Sequence, residues 1–212
     1  AIHKILEDMG YSVLTISKPP GPDTPQEQSI TLPFAEKYYN LSKRYKKNEF
    51  GEINNLCENV IVGSDQLFHP ELECDFAFLS YVSEDKRKIA FGTSFGHNKF
   101  YNIYKSKLFN KLNYIIKRYY LRRFDCVALR ETSSFIKKMF NKDIQQVIEP
   151  TLMLAQEDYN ILAEKSAVNV EGEYVLTYIL DSDEDKTKAI EYISKALGMK
   201  LVNIPNLYLQ DR

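Results

Sequence analysis

The sequence predicts an α/β fold organised on a parallel sheet, and three observations carry that expectation. Short apolar runs at Val60–Val62, Lys88–Phe91 and Cys126–Leu129 have the length and content of strands buried on both faces of a sheet. Each run stops at polar or small residues: Gly63-Ser64-Asp65-Gln66 after the first, Gly92-Thr93-Ser94-Phe95-Gly96 after the second, Arg130-Glu131 after the third. Segments with helical spacing separate the later runs, at 100–123 and 133–139. In an open α/β sheet, ligands bind beyond the carboxyl ends of the strands, so these polar residues would line one cleft edge.

Taken in order, Ile2, Ile5, Leu6 and Met9 share one helical face that ends at Gly10, with no N-cap residue before it. The expectation is a chain that starts inside a helix, its first strand lying upstream. Tyr11–Ser17 reads as a strand. Lys18–Pro33 holds five prolines and reads as a long loop. Pro33 suits the first turn of a helix running through Phe34, Tyr38 and Leu41, and a short helix around 49–57 leads into the strand at Val60. Phe76–Tyr81 is an aromatic run after a turn. The helix at 100–123 places Tyr101, Tyr104, Leu108, Leu112, Ile115, Ile116 and Tyr119 at helical spacing and is expected to supply core. Ser133 or Thr132 caps the next helix, and Val147–Ile148 forms a further short strand before Glu149-Pro150. A helix at 156–164 and a polar link follow; then 174–180, 186–197 and 200–204 read as strand, helix and strand.

This pattern assigns 1–167 to an N-terminal α/β domain and 168–212 to the start of a second, incomplete α/β domain. Roughly forty residues bury too little apolar surface to stand alone.

Composition narrows the function. A net charge of −1 offers no global field for nucleic acid. The Lys117–Arg123 segment mixes basic and aromatic residues as an RNA binder does, but cations also favour a helix C-terminus, and the solvated-face reading is preferred. Cys57, Cys74 and Cys126 are far apart and form no CxxC pair, which fits a reducing cytoplasm and implies neither disulfide framework nor zinc site. No metal is expected, because no His, Cys and carboxylate cluster has ligand spacing. Nothing resembles a signal peptide, and no apolar run approaches the roughly 20 residues of a crossing helix.

Four ordered blocks carry a family resemblance: Val-Ile-Val-Gly-Ser-Asp-Gln-Leu-Phe at 60–68, Lys-Ile-Ala-Phe-Gly-Thr-Ser-Phe-Gly at 88–96, Arg-Phe-Asp-Cys-Val-Ala-Leu-Arg-Glu at 123–131 and Ile-Glu-Pro-Thr-Leu-Met-Leu at 148–154. In order and spacing the chain resembles the polysaccharide pyruvyl transferases. The resemblance implies two Rossmann-like domains in a GT-B-like arrangement. It also implies transfer of an enolpyruvyl group from phosphoenolpyruvate to a sugar, giving a pyruvate ketal, with no cofactor. The expected acceptor is a nucleotide- or lipid-linked glycan precursor and the expected location the cytoplasm, where a lipid-linked acceptor would allow a peripheral contact at the inner face of the membrane. Phe68 and His69 stand where the family commonly has Trp and Asn, which bears on the acceptor pocket. The family's acid histidine is expected beyond Arg212.

Phosphoenolpyruvate carries a carboxylate and a phosphate, and arginine meets such groups with bidentate geometry. Arg130, in the block that holds the family's arginine, is the donor-binding candidate; a structural ion pair with Glu131 or another carboxylate is its alternative. Asp65 either orients or deprotonates the incoming hydroxyl or caps a turn. Gly63, Ser64, Thr93, Ser94, Gly96, Phe68 and Glu131 complete the substrate-binding set, with turn chemistry as the competing role for the small residues. His69 and His97 lie in polar loops, where histidines are usually idle, and His3 reads as a helix-surface residue. Two rival functions remain: a GT-B glycosyltransferase using a sugar nucleotide, and a non-catalytic glycan-binding relative.

Overall fold

The computed structural model describes residues 1–17, 32–69, 76–96, 106–166 and 168–204. The Lys18–Pro33 loop, apart from its last two residues, the start of the helix expected from Phe100, and His97 lie outside the described residues. The chain divides into two compact units, Ala1–Tyr159 and Asn160–Arg212.

The first unit is built on four parallel strands in sequential order: β3 (Asn59–Val62), β4 (Arg87–Thr93), β5 (Cys126–Leu129) and β6 (Gln145–Gln146). Before it, α1 (Ile2–Asp8) leads to β1 (Thr15–Ser17), and α2 (Leu32–Tyr38) leads to β2 (Leu41–Arg44). Gly10, at φ +87, ends α1 as expected, with Tyr11 N–H donating to Leu6 O at 3.0 Å. A 3-10 segment at Lys47–Asn55 precedes β3, α3 (Lys107–Arg122) joins β4 to β5, and α4 (Ser134–Phe140) joins β5 to β6. Ser133 caps α4, its hydroxyl accepting from Ile136 N–H at 3.2 Å. A short 3-10 turn at Pro150–Met153 and α5 (Gln156–Ala163) follow.

Several expectations change. Leu41 does not extend a helix: it opens β2, which pairs in parallel with β1 through Thr15↔Leu41 and Ser17↔Arg44. The partner lies more than 20 residues away, and long-range pairing overrides the local helical pattern. Only Thr15–Ser17 of the strand read at Tyr11–Ser17 is extended into a ladder. The last strand of the sheet is Gln145–Gln146, not Val147–Ile148. The central strands are not buried equally on both faces. Val60, Val62, Ala90, Val127 and Leu129 are buried, whereas Ile61, Ile89, Phe91 and Ala128 are half-buried.

The core gathers those buried strand residues with Leu121, Ile136 and Met139 around a group of phenylalanines. Phe68, fully buried, is at its centre, with ring centroids 5.4 Å from Phe78, 5.5 Å from Phe95 and Phe124, and 5.7 Å from Phe140. Lys88 is also buried; its ammonium donates to Ser83 O at 2.6 Å and Lys86 O at 2.9 Å, and burial holds its pKa below the ordinary lysine range.

α3 departs most from expectation. It turns Lys117 and Leu121 inward and leaves Leu108, Leu112, Ile115, Ile116 and Tyr119 exposed, so the apolar stripe expected to supply core faces away from it. Lys117 reaches over the Phe78 ring, 5.4 Å from its centroid.

In the second unit, β7 (Tyr174–Tyr178) and β8 (Lys200–Ile204) pair in parallel from Tyr174↔Lys200 to Tyr178↔Ile204, joined by α6 (Glu184–Leu197). Asp183 caps α6 by accepting from Lys186 N–H at 2.8 Å. This β-α-β unit has the elements read from the sequence. None of its described residues is fully buried.

Truncating Phe68 removes the ring that four others pack against. Phe68→Ala should lower unfolding stability by about 3–5 kcal/mol and Phe68→Leu by less, read from urea unfolding followed by circular dichroism. A loss under about 1 kcal/mol for the alanine variant would contradict this core assignment.

Candidate active site at the carboxyl rim of the sheet

The polar residues at the strand ends meet on one rim because the backbone stays paired beyond the strands. β3 ends at Gly63, where a Cβ would fall 1.8 Å from Phe91 O, so a side chain here would push β3 off β4. Past it, Asp65 sits at φ 62 with its side chain exposed, while its carbonyl accepts from Thr93 Oγ1 at 2.8 Å and Ser94 N–H at 3.0 Å. Thr93 O in turn accepts from Arg130 N–H at 3.2 Å. The ends of β3, β4 and β5 are thereby stitched in succession.

Side chains add a second layer. One Glu131 carboxylate oxygen, Oε1, accepts from Ser94 Oγ at 2.8 Å and Phe95 N–H at 2.7 Å. Ser94 Oγ accepts from Gly96 N–H at 2.8 Å. Glu131 thus shapes the 94–96 loop from within. Gly96, at φ +70, holds a left-handed conformation that side chains strain, and a Cβ there would also displace the Gln66 amide, whose Oε1 would lie 2.6 Å away.

The Arg130 guanidinium donates to Glu149 Oε2 at 2.6 Å, the two side chains about equally half-buried. The ion-pair partner is therefore Glu149 rather than Glu131. Arg130 Nε is buried and has no hydrogen-bond partner among the described residues. The group retains a donor beyond the one given to Glu149, which is what a second anion would need. Arg130 O accepts from Gln146 Nε2 at 3.1 Å, tying the rim to β6.

Gly63, Ser64, Asp65, Thr93, Ser94, Gly96, Arg130 and Glu131 thus belong to one rim. Phe68 does not share that surface. It is fully buried in the phenylalanine core, and only its N–H touches the site, donating to Ser94 O at 3.1 Å. His3 is not a surface residue either: it is buried, with Nδ1 2.7 Å from Thr15 Oγ1 and Nε2 3.1 Å from Glu7 Oε1. His69 is half-buried, its N–H donating to Gln66 O at 3.2 Å.

A family model described as polysaccharide pyruvyl transferase matches residues 1–211. The chain belongs to the polysaccharide pyruvyl transferase family. Searches of curated proteins and of solved structures returned no match. Within this pyruvyl transferase family member, two rim residues escaped the sequence reading of the site: Glu149, which holds Arg130, and Gln146, which holds its carbonyl. The signal for Glu149 was present, since Glu149-Pro150 follows a short strand as the other rim residues follow theirs.

Because Ser94 and Phe95 are buried, Glu131→Ala would leave a buried N–H and hydroxyl without their acceptor. The loss should be about 1–3 kcal/mol, measured by thermal or urea unfolding, whereas Glu131→Gln keeps an acceptor and should lose less. Equal losses for the two variants would assign the effect to charge rather than to hydrogen bonding.

Proposed function

We propose that this protein transfers the pyruvyl group of phosphoenolpyruvate to two hydroxyls of a sugar in a surface polysaccharide precursor, forming a cyclic ketal and releasing phosphate. The observation that carries the proposal is a guanidinium with an unused buried donor, set on the same strand-end rim as Ser64, Asp65 and Ser94. Family membership supports the reaction class.

A proton must first reach the methylene carbon of the donor, turning it into a methyl group and leaving an oxocarbenium-like centre at the neighbouring carbon. A sugar hydroxyl attacks that centre and loses its proton; a second hydroxyl then displaces phosphate, which leaves with the electrons of the C–O bond. Arg130 grips the donor's carboxylate or phosphate through charge-assisted hydrogen bonds, with Glu149 keeping the guanidinium in place before the donor arrives. The Ser64 hydroxyl approaches the donor's oxygens, while Thr93, Ser94 and Gly96, whose own donors are bonded within the rim, fix the loops beside it. Asp65, exposed on the rim, receives the hydroxyl proton.

The reading takes its acceptor, a nucleotide- or lipid-linked glycan on the cytoplasmic side of a membrane, and its GT-B-like pairing of Rossmann-like domains from the same resemblance. It needs no cofactor beyond the donor itself.

Loss of a charge-assisted hydrogen bond costs about 1.5–3 kcal/mol, so Arg130→Ala should weaken phosphoenolpyruvate binding by about 10- to 150-fold. Isothermal titration of the folded variant measures this, and Arg130→Lys should recover only part of the loss because it cannot offer the fork. Unchanged binding in a folded Arg130→Ala protein would remove Arg130 from the donor site. Incubation with candidate glycans decides the reaction: phosphate release with ketal formation supports pyruvyl transfer, and nucleoside diphosphate release from a sugar nucleotide would replace it with glycosyl transfer.

A further inference from the structure

α3 is amphipathic in the reverse sense to a core helix. Leu108, Leu112, Ile115, Ile116 and Tyr119 follow the i, i+4, i+7, i+8, i+11 spacing of a single stripe, and all five are exposed, from 39% at Ile116 to 73% at Leu108. The helix docks onto the core by the other side, through Lys117 and Leu121. Along one flank of the apolar stripe runs a second one, Lys107, Lys111, Arg118 and Arg122, at i, i+4, i+11, i+15. None of these four cations has a carboxylate partner among the described residues, and the 16 residues of α3 contain no Asp or Glu at all.

Where the two stripes meet near the end of α3, Ile115, Tyr119, Arg118, Arg122 and Arg123 line a recess of about 310 Å³. Arg123 is engaged there by Glu84, Nε to Oε1 at 2.8 Å. Arg118 Nε is buried with no hydrogen-bond partner among the described residues. Apolar surface and unused guanidinium donors thus adjoin, as they must where an acyl chain passes into its phosphate headgroup.

We propose that α3 is a membrane-docking helix that lies in the interface of an anionic lipid bilayer, with its Leu108–Tyr119 stripe in the acyl boundary and its Lys107–Arg122 stripe against the headgroups. Charge complementarity selects this occupant. A second copy of the same helix would bring apolar area but no carboxylate to meet four cations, whereas an anionic leaflet supplies both. No described helix is long and apolar enough to cross a membrane, which agrees with a helix that lies on the surface. The proposal stands apart from the reaction, since vesicle binding requires neither donor nor turnover.

The chain contains no tryptophan, so Ile116→Trp installs a single indole on the stripe of the 212-residue chain. With vesicles of mixed phosphatidylglycerol and phosphatidylcholine its emission should shift to the blue and the protein should co-sediment; with phosphatidylcholine alone both effects should be much weaker. About 0.5 M salt should release most of the bound protein, because charges on a surface are screened within a few ångströms at that strength. Each cation near a charged leaflet contributes roughly a fivefold change in partitioning, so Lys111→Gln with Arg122→Gln should weaken binding by about 25-fold. Leu112→Gln with Ile116→Gln should abolish the sedimentation. All these positions are exposed, and unchanged thermal unfolding of each variant confirms that it is folded. Protein that stays in the supernatant with anionic vesicles overturns the proposal, as does binding that neither double variant weakens. Sedimentation velocity showing a dimer that Leu112→Gln with Ile116→Gln dissociates, without vesicle binding, would also overturn it and assign the face to a second copy.

Discussion

Gly92 imposes the constraint on which the rim depends. Its φ of +64 lies in the left-handed region, and a Cβ there would stand 2.3 Å from Pro150 Cγ. Register slips at this point: Phe91 faces Ala128 but Thr93 faces Leu129, so β4 carries one residue more than β5. Without that extra residue, Thr93 would point to the opposite face of the sheet, since side chains alternate along a strand. Its hydroxyl would then lose Asp65 O, and the neighbouring Ser94 could not present itself to Glu131. The same glycine lets Pro150 close against the sheet, which fixes the residue before it, Glu149, beside Arg130.

The site is also coupled to the core through its backbone. Phe68 packs among four rings while its N–H holds Ser94 O, so the loop carrying Ser94 is fastened at one side to the backbone of a fully buried residue and at the other to Glu131. Preorganisation of this kind lets a polar site hold its donors in place before a ligand arrives. The electrostatic balance is close. Arg130 brings one positive charge, and Glu149 already meets it, so an incoming anion competes with a tethered carboxylate for part of the guanidinium rather than entering an unopposed field.

Much of this arrangement was legible in the sequence. Apolar runs closed by glycine and polar residues located β3, β4 and β5 and the rim beyond them, because burial and strand termination leave local marks. The parallel pairing of β4 with β5 was marked by the helical segment between them, whereas no helical pattern marked that of β3 with β4. What was not legible depends on distant partners. Leu41–Arg44 became a strand because Thr15–Ser17 lay beside it, and no local pattern specifies that. Phe68 sits in the motif next to the polar residues, so its position suggested the pocket; only the surrounding rings show that it turns inward. For α3 the periodicity was read correctly and the direction was not, since spacing identifies an apolar stripe without saying what it faces.

The two-residue strand β6 has a consequence for how the sheet meets other chains. Both of its residues are exposed glutamines, and it is the last strand of the described sheet. A ladder this short offers an incoming extended segment few unpaired amides to register against, and its neutral, strongly hydrated side chains give no apolar gain on contact. Edge-to-edge growth is thereby discouraged on the side of the sheet where the backbone would otherwise be open to recruitment.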